Sequence, residues 1–196
     1  GIDVLILCAG FGISGAVEFT RSEDARRQLD VNFFGAVNMV KAALPYMRQA
    51  RKGRIIIISS VAGAIPIPFQ TFYSVTKAAL NSYAGALRNE VRPYGISVCA
   101  IMPGDISTGF TAARVKEARG DAEYGGRISR SVARMEKDEQ NGMSAAAAGR
   151  YIAKMSLRRS LPPSMAIGIQ YKFFTMLVRL LPSRLVSRLV YGMYAA

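Results

Sequence analysis

The chain has 196 residues, 51% of them hydrophobic, which is enough to bury the core of one domain and excludes a disordered polymer. With no histidine and only two cysteines it cannot furnish an ordinary zinc site, and no metal is expected. Its net charge of +13 comes from scattered basic residues without a zinc-finger, RNP-like or other nucleic-acid motif, which argues against a nucleic-acid partner.

The chain begins Gly1-Ile2-Asp3 and is at once in a strand, DVLILC (residues 3–8), of the apolar kind that is buried in parallel sheets. That abrupt start leads us to expect further residues upstream. Ala9-Gly10 and the turn FGISG follow, small residues that let backbone approach a ligand closely. Cys8, like Cys99 in a later strand, is expected to be a buried free thiol of a reducing compartment, the alternative being a disulfide or a reactive thiol. Thr20 or Ser22 is expected to cap a long helix over residues 22–49, with Glu23 and Asp24 near its positive end. Leu29, Phe33, Val37, Val40 and Leu44 recur there at helical spacing, Pro45 should bend it late, and Gly53 should end it. Asn32 is a lone amide among apolar neighbours and needs buried partners.

Residues 54–77 are the informative stretch. Ile55 to Ile58 form a β-branched run suited to a strand covered on both faces, and it ends in Ser59-Ser60. Pro66 and Pro68 then hold a loop, and a helix over residues 72–91 places Tyr73 and Lys77 one turn apart on one face. Val61, Ile65, Ile67, Phe69 and Phe72 supply an apolar lining, which points to a bulky hydrophobic alcohol or ketone rather than a sugar. Pro93-Tyr94-Gly95 ends the helix, and residues 96–102 make a third strand. Alternating strands and helices give right-handed βαβ units and a parallel sheet, whose substrate meets the C-terminal strand ends. Gly10, Ser60 and Pro103 all fall there.

Four features together resemble the short-chain dehydrogenase/reductase family: Ser60 thirteen residues before Tyr73, the Tyr73-x-x-x-Lys77 pair, Asn32 within VNFFG, and Pro103-Gly104-Asp105-Ile106-Ser107-Thr108 as PGxxxT. The resemblance implies an α/β fold, a Rossmann-like doubly wound parallel sheet lacking the first βαβ dinucleotide-binding units. Residues 1–170 would be the C-terminal catalytic part of that single domain, and residues 171–196 an amphipathic helical tail. It also implies a catalytic set of Asn32, Ser60, Tyr73 and Lys77. Cofactor contacts would come from Ala9, Gly10, Tyr73, Lys77, Pro103, Gly104, Ile106 and Thr108. In that scheme Tyr73 passes the proton and Ser60 holds the carbonyl oxygen. Lys77 lowers the phenol pKa and holds the nicotinamide ribose, while Asn32 links Lys77 to solvent through water.

The cofactor implied is NADP or NAD, with NADP favoured, in a cytoplasmic oxidoreductase that interconverts a secondary alcohol and a ketone or aldehyde. The family's Asn-Asn-Ala-Gly reads Leu7-Cys8-Ala9-Gly10 here, and the 196 residues contain no TGxxxGxG segment and no cofactor selector. Ala78, Ala79, Ala84, Gly85 and Ala86 lie in the helix that, with the preceding long one, forms a common dimer surface in the family, which implies a homodimer or homotetramer. A non-catalytic oligomerisation or regulatory relative is the alternative.

Residues 109–142 are charged and glycine-containing, with helical pieces expected at 111–119 and 128–138, where the family carries a variable substrate lid. A helix from Met143-Ser144 to about Arg159 and a last edge strand at 165–169 follow. The tail reads as a helix to Leu181 and another after Pro182-Ser183. Phe173, Met176, Leu177, Leu180 and Leu181 are expected on one apolar face, and Leu185, Leu189 and Tyr191 on another. Residues 111–196 hold 15 basic and 6 acidic side chains, against 11 and 7 in residues 1–110. Two placements of the tail stay open: packing across the substrate pocket or a partner, and peripheral membrane contact, because Arg179, Arg184 and Arg188 alternate with large apolar groups.

Overall fold

In the computed structural model, which describes residues 1–196, Ile55, Ile56 and Ile57 are all fully buried although successive strand residues point to opposite faces. The sheet must therefore be covered on both sides, and it is. The elements run β1 (Val4–Leu7), β2 (Ile13–Ser14), α1 (Ser22–Leu29), a π-helical turn (Asp30–Phe34), α2 (Gly35–Ala50), β3 (Gly53–Ile58), α3 (Thr71–Val91) and β4 (Ile96–Pro103). Then come β5 (Ile106–Ser107), β6 (Val115–Lys116), α4 (Arg127–Gln140), β7 (Met143–Ser144), α5 (Ala145–Ser156), β8 (Ser164–Ile167), α6 (Ile169–Leu180) and α7 (Ser183–Tyr194).

The main sheet has the order β1-β3-β4-β8, every neighbouring pair parallel. On one face Ile55, Ile57, Val98 and Ala100 pack under Val40 and Met47 of α2 and Leu80 and Leu87 of α3. On the other, Ile56, Cys99 and Ile101 pack against Met155 of α5, Leu161 and Ile167. Each fully buried isoleucine of this kind contributes about 1.5–3 kcal/mol, so β3 and β4 are the anchor of the domain. As expected, the strands end together at one edge of the sheet, and the candidate site is built there.

Several local expectations are corrected. The helix over 22–49 exists, but a π turn interrupts it at Asp30–Phe34. Its N-cap is Arg21 with no side-chain bond, because Thr20 instead donates its hydroxyl back to the Ala16 carbonyl at 2.9 Å. Pro45 lies inside α2 without ending it, and Arg51, at φ 50°, takes the left-handed terminal position. Gly53 already belongs to β3, where a Cβ would lie 2.6 Å from Met47 Sδ. Residues 111–119 are not a helix: they turn and form β6, which pairs with β2 at Ile13↔Val115. Both cysteines are free, but only Cys99 is buried; Cys8 follows the edge strand β1 and is exposed.

Candidate functional site

The site starts with Asn32, which is 1% exposed and placed by the π turn between the loop after β1 and helix α3. Its Oδ1 accepts the Phe11 backbone N–H at 2.9 Å, and its Nδ2 donates to Phe11 O at 2.9 Å and to Thr76 Oγ1 at 3.1 Å. Thr76 in turn donates to the Tyr73 carbonyl at 2.8 Å. One amide thus ties the β1 loop to the turn of α3 that carries Tyr73 and Lys77. Gly10 presses on the same group: a Cβ there would stand 3.2 Å from Asn32 Oδ1 and 3.5 Å from Lys77 Nζ.

Lys77 is buried, and its ammonium donates to the Ile58 carbonyl at the end of β3, 2.9 Å away. It lies 5.6 Å from the centroid of the Tyr73 ring. Burial lowers Lys77 to about 8, since the charged form loses water that one carbonyl only partly replaces. Tyr73 is half-buried, and the protein packed around it pushes the phenol up to about 12, a hydrogen bond with the Ser60 side chain opposing this in part. The carboxylate of Glu139 raises it further and the guanidinium of Arg114 lowers it. The expected lowering of the Tyr73 pKa by Lys77 is not found: desolvation dominates the phenol, and the groups that oppose it are Ser60 and Arg114.

Ser60 stands at the end of β3 in extended conformation, and its Oγ accepts the Ala62 N–H at 3.1 Å, capping the 3-10 turn Val61–Gly63. Its neighbour Ser59 is buried and structural, donating to the Lys77 carbonyl at 2.9 Å. Of the PGxxxT residues, Pro103 closes β4 and Ile106 opens β5, which pairs with β7. Gly104 leaves room for the tail, because a Cβ there would fall 2.1 Å from the Tyr171 ring. Thr108 is exposed and accepts the Phe110 N–H at 3.1 Å; Ala9 is exposed as well. The structure therefore gathers Gly10, Asn32, Ser60, Tyr73 and Lys77, and leaves Ala9 and Thr108 at the surface.

Three features escaped the sequence reading. The Phe110 ring stands 5.5 Å from that of Tyr73. Behind it the fully buried Arg114 side chain pairs with Glu139, whose other oxygen accepts from Thr111 Oγ1 at 2.6 Å. The signal was present as Thr111/Arg114 and Glu136/Glu139, each three apart, but their partnership is non-local. Third, Tyr171 of α6 donates its hydroxyl to Asp105, fastening the tail to the turn after β4.

That tail encloses a cavity of about 710 Å³. Val61, Ile65 and Ile67 line one side, and Tyr171, Phe174 and Leu177 of α6, with Leu189 and Met193 of α7, line the other. Helices α6 and α7 thus pack across a cavity that Val61, the neighbour of Ser60, also lines. Phe69 is a correction: at φ 59° it turns away into a cluster with Ile128, Val132 and Met135.

Residues 1–119 match the protein-family model described as short chain dehydrogenase. The chain is 46% identical over 169 residues to a 3-ketodihydrosphingosine reductase of Bacteroides thetaiotaomicron, covering 85% of this chain and 63% of that protein. It superposes on a short-chain dehydrogenase from Streptomyces avermitilis with a TM-score of 0.78 at 27% identity, covering 95% of this chain and 67% of that one. A closed form of serine dehydrogenase complexed with NADP+ aligns with a TM-score of 0.70 at 25% identity, over 85% of this chain and 64% of that one. The chain spans about two thirds of the length of these proteins.

Proposed function

Because the chain belongs to the short-chain dehydrogenase/reductase family, we propose that it serves an NAD(P)(H)-dependent oxidoreductase that interconverts a secondary alcohol and a ketone on a bulky, lipid-like substrate. The observation that carries this reading is the meeting of Ser60 and Tyr73 with buried Lys77 and the bare α-carbon of Gly10, beside an apolar cavity.

The residues suit the ribose end of a nicotinamide dinucleotide. Gly10 offers backbone without a side chain next to Lys77, and Lys77 has two N–H groups beyond the one given to Ile58. Such a cofactor supplies the hydride when bound. With its pKa at about 12, Tyr73 holds its proton at neutral pH and can donate it to a carbonyl oxygen as negative charge develops there. Ser60 donates a second hydrogen bond to that oxygen and stabilises the same charge. Lys77, at about 8, is mostly cationic at pH 7 and binds ribose hydroxyls. The second lone pair of Asn32 Oδ1 provides a place for water linking Lys77 to solvent.

NADP over NAD is supported by the basic surplus of the chain, which suits an additional phosphate. A lipid-like substrate is supported by the apolar cavity walls and by the relative described as a 3-ketodihydrosphingosine reductase. Exposed Val31 and Phe34 on the π turn and Val75 on α3 support a homodimer through that side.

The test is NADPH oxidation by the full chain with ketones of increasing alkyl length. kcat/KM should rise with each methylene, by up to about fourfold at ~0.8 kcal/mol per buried CH₂. A preference for short polar ketones would overturn the substrate class, and nucleotide binding without turnover of any carbonyl would overturn the enzyme reading.

A further inference from the structure

Helix α6 carries two apolar stripes rather than one. Tyr171, Phe174, Leu177 and Leu181 turn inward to wall the cavity. Phe173, Met176 and Leu180, recurring at i, i+3 and i+7, share the opposite face. That outer stripe is uncovered: Leu180 is 74% exposed, and Phe173 and Met176 are 53% exposed each. On α7, Leu185 and Tyr191 are exposed too. Neither helix contains a single buried residue. Lys172, Arg179, Arg184 and Arg188 are the only charged side chains in residues 169–196, so the segment carries four cations and no anion.

We propose that the outer faces of α6 and α7 form a docking surface for an anionic lipid membrane. An exposed apolar stripe with cations and no acids suits a helix lying in the interface, with its large side chains among acyl chains and its long basic ones reaching lipid phosphates. A second copy of the same face fits poorly, since pairing would set four cations against four. Crossing the bilayer is not involved, as no helix is long and apolar enough to do so. Because the same helices wall the cavity, docking brings the cavity to the lipid surface. This last consequence rests on the lipid-like substrate proposed above; the docking itself is read without turnover.

The experiment is co-sedimentation of the full chain with vesicles of phosphatidylcholine alone or with phosphatidylglycerol added. The protein should pellet with the anionic vesicles only, and the combined variant Arg179→Glu, Arg184→Glu, Arg188→Glu should bind at least about tenfold more weakly. Replacing Phe173, Met176 and Leu180 by Ser should also abolish pelleting while circular dichroism retains the helix content. Absence of pelleting with anionic vesicles, or equal pelleting with neutral ones, would overturn the proposal. So would a dimer in sedimentation velocity that the same serine variant dissociates while vesicles bind neither form.

Discussion

Replacing Asn32 by Ala tests the joint on which the site is assembled. The truncation removes an acceptor from Phe11 N–H and two donors, to Phe11 O and Thr76 Oγ1. The losses are unequal. Phe11 O still accepts from Gln28 Nε2 at 3.1 Å, and Thr76 keeps its bond to Tyr73 O. Only the Phe11 N–H is orphaned, which costs about 1–3 kcal/mol, and the two other bonds are worth about 0.5–1.5 kcal/mol each with partners remaining. The expected destabilisation is about 2–6 kcal/mol. In urea, with a slope of about 2 kcal/mol per molar, the midpoint should fall by about 1–3 M. Hydrogen exchange at the Phe11 amide should lose its protection in the same variant. Asn32→Asp should also destabilise, because a carboxylate oxygen would face Phe11 O, yet it should keep the Phe11 amide protected. A midpoint shift below about 0.3 M for Asn32→Ala would refute the reasoning.

Lys77 has a folded pKa of about 8 against 10.5, so the folded state binds fewer protons between these values and the group's contribution to stability rises with pH across that window. The stability gained by Lys77→Met should therefore be largest below pH 8, on the order of 3 kcal/mol at 1.36 kcal/mol per pKa unit, and should shrink toward pH 10.5 in denaturation curves. Asp105 has its pKa raised, burial being the first cause, so its contribution falls as pH climbs from 3.8. Asp105→Asn keeps an acceptor for Tyr171 and should flatten that decline; an unchanged pH profile would show that Asp105 does not titrate against folding. Arg114→Met leaves Glu139 buried without its cation and should cost about 3–5 kcal/mol, read as faster proteolysis across residues 109–142.

The sheet was legible because Ile55 to Ile58 and residues 98–102 are apolar at every position, which suits a strand buried on both faces. Tyr73 and Lys77 were legible because a four-residue spacing on a helix admits one geometry. The π turn was not, since Asp30–Phe34 is composed of residues that suit an α-helix equally well. Nor was β6: Val115 and Lys116 form a strand only because Ile13 and Ser14 arrive beside them, a contact about a hundred residues away in sequence. The tail was half legible. Its apolar residues suggested one face, but Leu177 and Leu181 turn to the cavity while Phe173, Met176 and Leu180 turn outward, a division that depends on where the cavity lies. Spacing also could not reveal that the Lys77 ammonium is bonded to Ile58 O, nor that burial would dominate the Tyr73 phenol.

The most direct test of the central claim is the rate of ketone reduction by Tyr73→Phe, measured under saturating NADPH together with the affinity for NADPH. Phenylalanine keeps the ring against Phe110 and removes only the proton donor. Reduction should be slower by about 10²–10⁴-fold, with NADPH affinity nearly unchanged. A variant that reduces ketone within a few fold of the wild-type rate would contradict it.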